Sequence, residues 1–161
     1  VVWSQQTTAG DVFNSSCSRV PNCPFKNGPD VDFGASVMLV GTDNGRDILV
    51  AGQKSGVVHA FEPDNEGKIL WQTRVGKGGA NGGIQWGTAS DGRLVFAAIA
   101  GAVRARGTGP NQATSPLGNA NFDPAEGGGL TALDARTGSV VWHVASTPCT
   151  PARPKRPRPA P

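Results

Sequence analysis

Short apolar runs broken by turn residues fill this chain, and nowhere is an apolar stripe sustained at helical spacing. A first group of runs reads SVMLVGT (36–42), DILVAGQ (47–53), VVHAFEP (57–63) and KILWQTRV (68–75). A second reads IQWGTAS (84–90), RLVFAAIA (93–100), LTALDA (130–135) and SVVWHVA (139–145). Asn44-Gly45, Asp91-Gly92 and Thr137-Gly138 punctuate them as turns. Runs such as DILVAG and LVFAAI are apolar on both strand faces, whereas the last strand of each group alternates. Ile69, Trp71 and Thr73 are expected on one face, with Val140, Trp142 and Val144 as their counterparts. Doubly buried strands grading into a half-exposed one predict an all-β fold, about two four-stranded blades of a β-propeller.

The two groups are copies of one unit. HAFEPDNEGKILWQTRV (59–75) aligns with TALDARTGSVVWHVA (131–145), matching Ala60 to Ala132, Glu62 to Asp134, Gly67 to Gly138 and Trp71 to Trp142. Trp3 falls 68 residues before Trp71, which falls 71 before Trp142. Propellers close with roughly 4–8 blades, and an open pair leaves apolar strand faces in water. The chain, which begins at Val1, is therefore expected to be a processed chain or a fragment whose remaining blades are its first partner. Residues 1–146 are assigned to a partial propeller, with blades near 36–75 and 84–146. The polar stretch 101–129 is expected on one rim.

Residues 147–161, TPCTPARPKRPRPAP, are a Pro/Arg-rich tail predicted to be disordered. An acidic partner or a shifted reading frame are the alternatives for it. The tail also changes the meaning of the charge. It carries Arg153, Lys155, Arg156 and Arg158, and removing these four from the net +3 leaves the rest at −1. The body has no basic excess to support nucleic-acid binding. The 23 Gly and 13 Pro argue against a helical bundle, and no apolar run reaches the ~20 residues of a membrane span. Cys17 and Cys23 flank a Ser/Pro/Asn-rich loop that suits a small disulfide in an oxidising compartment, with free thiols as the alternative. A metal reading is weak, because His59 and His143 lie in strand-like runs.

The pattern Ala132-x-Asp134-x-x-Thr137-Gly138-x-x-x-Trp142 resembles the tryptophan-docking motif of pyrroloquinoline-quinone (PQQ) propellers. In that family the indole packs onto a neighbouring blade, which implies structural docking roles for Trp3, Trp71 and Trp142. Asp32-Phe33-Gly34, followed by the turn Gln53-Lys54-Ser55-Gly56, resembles the segment of quinoprotein alcohol dehydrogenases that carries a catalytic aspartate. Gln85-Trp86 stands where that family places an amide and a tryptophan, with Gln in place of the usual Asn. The Cys17–Cys23 insertion, GPDVDFGAS and GGIQWG are most similar to the polyvinyl-alcohol-dehydrogenase-like branch.

The resemblance implies an eight-bladed parent, periplasmic or secreted, that oxidises secondary or polymeric alcohols with PQQ and Ca²⁺ and passes electrons to cytochrome c. It makes Asp32 the base and assigns Lys54, Gln85 and Trp86 to the cofactor. The metal ligands are expected from other blades, so the chain alone is expected to be inactive. The residue types suit that chemistry, since alcohol oxidation needs a proton acceptor and a cation where the quinone oxygen gains charge. Each has a plainer reading too. Asp32 or its neighbour Asp30 can be a turn aspartate, Lys54 a solvated turn lysine and Trp86 a core residue. The rival whole-protein reading is a non-catalytic propeller scaffold that needs the tryptophans but neither Asp32 nor Lys54.

Overall fold

The computed structural model describes residues 2–12, 28–79, 82–104, 120–122 and 128–146. The expected Cys17–Cys23 disulfide and the Pro/Arg tail lie outside the described residues. What is described is all-β, without a helix. Strands β1 (Met38–Gly41), β2 (Asp47–Gly52), β3 (Val57–Glu62) and β4 (Lys68–Arg74) form one antiparallel meander in sequence order. The second sheet holds β5 (Thr88–Ser90), β6 (Leu94–Ile99), β9 (Gly129–Asp134) and β10 (Val140–Ala145) in the same relative order. Within the expected long loop lies a small hairpin, β7 (Ala102–Arg104) paired with β8 (Ala120–Phe122). The two large sheets are the two expected blades.

One face of the first sheet packs on one face of the second. Val50, Val58, Ala60 and Trp71 meet Val95, Ala97, Leu133 and Ala135 in a single apolar cluster. The cross-strand partners Val50↔Ala60 and Val95↔Leu133 explain which residues share these faces. Since β-strand side chains alternate, the other face of the second sheet carries Phe96, Leu130, Trp142 and Val144, of which Leu130, Trp142 and Val144 are exposed.

Two tryptophans lock neighbouring layers by the same geometry. Trp71 Nε1 donates to the Ala135 carbonyl at 3.0 Å, and its ring lies on Gly138. A methyl at Gly138 would come within 2.6 Å of the indole, and the residue's φ of 71° also favours glycine. Thr73 Oγ1 adds a bond to the Gly138 carbonyl at 2.6 Å. Trp3 repeats the arrangement, donating to the Pro63 carbonyl at 3.2 Å with its ring over Gly67. Pro63 and Gly67 are the first copy's equivalents of Ala135 and Gly138, so the repeat in the sequence is a repeat of contacts. Trp142 sits instead against Phe96 with ring centroids 6.1 Å apart and remains 37% exposed.

Three boundaries differ from the pattern. A bulge pairs Phe61 with Ile69 but Ala60 with Trp71, which puts Ile69 and Trp71 on opposite faces. The same bulge recurs between Val140 and Trp142. The extra residues, Leu70 and Val141, are apolar, and simple alternation conceals them. The run 84–90 is strand only from Thr88, because Ile84 leaves the sheet to donate its N–H to Gln53 O of the first blade at 3.2 Å.

Burial separates the tryptophans energetically. Trp71→Ala is expected to lower stability by about 3–5 kcal/mol, whereas Trp142→Ala should cost less than about 1 kcal/mol. Urea unfolding of the two variants followed by circular dichroism checks the difference, and equal losses would contradict the docking geometry.

Candidate functional site

A meander places alternate turns at one rim. The β1–β2 and β3–β4 turns occupy one end of the first sheet, and the β2–β3 turn and the approach to β1 occupy the other. Asp32 lies on that approach and Lys54 in that turn. The Lys54 N–H donates to the Asp32 carbonyl at 3.1 Å, extending the β1–β2 ladder past its last pair. In the second sheet the corresponding closure joins Gly83 and Ala100, neither of which carries reactive chemistry. Main-chain pairing thus brings side chains 22 positions apart into contact. Lys54 Nζ lies 2.5 Å from Asp32 Oδ1 and 3.7 Å from Asp30 Oδ1. The lysine side chain is 16% exposed and that of Asp32 is 64% exposed, so a largely buried ammonium is faced by an accessible carboxylate.

The backbone around Lys54 is fixed from three sides. Its carbonyl accepts the Gly79 N–H at 2.9 Å, and Gly83 lies so close that a methyl there would overlap the same carbonyl. Gly83 also has a φ of 72°. This contact draws the entry of the second sheet against the Lys54 turn. Two residues beyond Gly83, the Gln85 main chain meets Gly34, where a methyl would lie 2.9 Å from the Gln85 carbonyl oxygen. Asp32, Lys54, Gln85 and Trp86 therefore gather at one rim, where the sheets join. Gln85 Nε2 donates to the Gly82 carbonyl at 3.4 Å. Trp86 is 85% exposed and is not a core residue in this chain.

Beneath this rim lies a polar layer that composition did not announce. His59 is buried on β3. Gln72 Nε2 approaches its Nδ1 at 2.9 Å, and Gln53 Oε1 lies 3.4 Å from its Nε2. An amide nitrogen only donates and an amide oxygen only accepts, so the imidazole is neutral with its proton on Nε2. Gln53 Nε2 in turn donates to Thr7 Oγ1 at 2.9 Å, and Gln53 Oε1 accepts from Ser55 Oγ at 2.6 Å. Phe33 meets the imidazole edge-on at 5.5 Å, and Phe61 lies parallel to it at 6.0 Å. His59 thus touches the neighbours of both Asp32 and Lys54. His143 has a simpler part, bonding Thr131 across β9 and β10 at 2.8 Å. A groove of about 680 Å³ opens over the layer, lined in part by Thr7, Thr8, Gln53, His59, Gln72 and Arg74. A smaller one of about 280 Å³ shares Thr7, Thr8 and Gln53 and reaches Asp32 and Phe33.

Two known proteins match over nearly the whole chain. The polyvinylalcohol dehydrogenase of Pseudomonas sp is 36% identical over 151 residues, which is 92% of this chain and 21% of that protein. The polyvinylalcohol dehydrogenase of Sphingopyxis sp. (strain 113P3) is 34% identical over 157 residues, 95% of this chain and 22% of that protein. The chain spans about a fifth of the length of these relatives. No family model matches it.

Burial pushes the His59 pKa from 6.5 down to about 4. The unfolded chain therefore takes up this proton first, and stability falls as pH drops from about 6.5 towards 4. Replacing His59 with Gln is expected to remove roughly 1–3 kcal/mol of that pH-dependent loss. Urea midpoints measured from pH 7 to pH 4 check it, and an unchanged slope in the variant would refute it.

Proposed function

We propose that this chain is part of a PQQ-dependent dehydrogenase of secondary or polymeric alcohols, with the rim of Asp32, Lys54, Gln85 and Trp86 facing cofactor and substrate. The observation that carries the reading is the ion pair of Lys54 and Asp32 at the rim where the two sheets join. The names of the two similar proteins support it at the level of alcohol oxidation.

The residues present suit an ortho-quinone. They offer one ammonium, one amide and a bare indole surface on a single edge, with glycines where the main chains approach closely. When bound, PQQ would supply the two-electron acceptor that no side chain provides. Asp32 Oδ1 would take the hydroxyl proton, and its exposure leaves it within reach of an alcohol. Lys54 Nζ would donate to an oxygen that gains negative charge. In the chain as it stands the ammonium neutralises Asp32, so a ligand oxygen that draws Lys54 towards itself frees the carboxylate as a base. Among the described residues no group of three or more His, Cys, Asp or Glu is placed to hold a metal ion, and no step here runs through calcium. Transfer of electrons to cytochrome c and a periplasmic or secreted setting belong to the same proposal.

The alternative is a non-catalytic propeller scaffold. It is favoured by the self-sufficiency of the rim, where Lys54 already bonds Asp32 through both side chain and main chain. One experiment separates the two. In the parent polypeptide supplied with PQQ and Ca²⁺, Asp32→Asn and Lys54→Ala should each lower alcohol-dependent dye reduction about 100-fold or more. Full activity in either variant would end that residue's catalytic assignment, and a parent inactive with both cofactors would favour the scaffold. The 161-residue chain alone should lose PQQ on dialysis. Stoichiometric retention would show that no further blade is needed to bind it.

A further inference from the structure

We infer that Asp11 is a positioning residue, whose carboxylate clamps the loop carrying Asp30 and Asp32 and so holds Asp32 against Lys54. The inference rests on the proposed use of that ion pair. Asp11 Oδ1 accepts the Asp30 N–H at 2.9 Å and Oδ2 accepts the Val31 N–H at 2.8 Å. Two successive main-chain N–H groups turned towards one anion form a concave nest, and a carboxylate matches it with one oxygen for each donor.

The nest demands an uncommon backbone. Asp30 has a φ of 59°, in the left-handed region that non-glycine residues seldom occupy. Residue 31 follows directly and is buried, so the turn sets the direction in which Asp32 leaves it. The other side of the clamp is tied down as well. The Asp11 N–H donates to the Thr8 carbonyl at 3.3 Å, and Gly28 donates to the Val12 carbonyl at 2.7 Å. A side chain at Gly28 would press on Asp11 Oδ1 at 2.6 Å. With both oxygens engaged by N–H groups, Asp11 is satisfied without the lysine, and Lys54 is left to Asp32 and Asp30.

The test uses the full 161-residue chain and needs no cofactor. Hydrogen exchange at the Asp30 and Val31 amides reports the clamp, and the ¹H–¹⁵N signal of the Lys54 ammonium reports the ion pair. In D11A, exchange at both amides should rise about tenfold or more, and the Lys54 signal should broaden away. The double variant D11A/D30G should recover the Lys54 signal, because glycine adopts the turn without the clamp. D11N retains one acceptor oxygen and should release one amide, with a partial loss of the Lys54 signal; it serves as the test if D11A does not fold. Unchanged exchange in the single variants, an undisturbed Lys54 signal, or a double variant as loose as D11A would each overturn the inference. If these signals change as expected while the parent shows no dehydrogenase activity, the positioning stands and the functional reading falls. If the signals fail while Asp32→Asn abolishes activity, the reverse holds.

Discussion

The Trp71 indole on the Ala135–Gly138 turn fixes how the two sheets stack, and the rest of the arrangement follows from it. The indole spends its single donor on a main-chain carbonyl and its ring on a glycine, so it fits only one register of the second sheet. That register places Ala97 and Leu133 over Val50 and Val58 in the shared core. It also brings Gly83 beneath the Lys54 carbonyl and Gln85 against Gly34. The docking turn and the Lys54 turn lie at opposite ends of the first sheet. The core between them is close-packed, so a shift at one end is transmitted to the other.

The rim itself is an arrangement of unlike charges in which the ammonium is the least exposed member. Partial burial of a cation costs solvation, and two nearby carboxylates offset part of that cost. The neutral, hydrogen-bonded His59 layer beneath adds order without adding charge. This division suits a site in which a ligand must compete for one cation. The surrounding network holds the main chain in place whether or not Lys54 stays on Asp32, because Gln53 bonds Thr7, Ser55 and His59, Gln72 bonds His59, and none of these side-chain bonds uses the lysine.

How much of this could be read from the sequence depends on whether a feature is local or assembled. The eight strands and the repeated placing of Trp3 and Trp71 were legible because alternation and a repeat near 70 residues are properties of neighbouring positions, whereas Trp142, expected to dock like them, rests on Phe96 of its own sheet. The meeting of Asp32 and Lys54 was legible as a shared rim, since both sit at the same end of one meander. The bulges at Leu70 and Val141 were hidden, because an extra apolar residue beside a tryptophan leaves the count of apolar positions unchanged. His59 read as an ordinary strand residue, which it is by position, but its partners come from three other segments. Asp11 gave no signal at all. Its role rests on a turn 19 residues away whose left-handed Asp30 is invisible in composition.

The second sheet supplies the last step. One of its faces repeats the apolar character of the face that the first sheet buries, with Phe96, Leu130, Trp142 and Val144 in the places of residues that would meet a neighbour. Trp142 stands in the register of Trp3 and Trp71 but rests on Phe96 of its own sheet. Among the described residues two indoles meet two such turns, and Trp142 is seen only against Phe96. A sheet of this kind gains most from a third layer offering a carbonyl and a glycine in the same spacing, because such a layer would take Leu130, Trp142 and Val144 out of water.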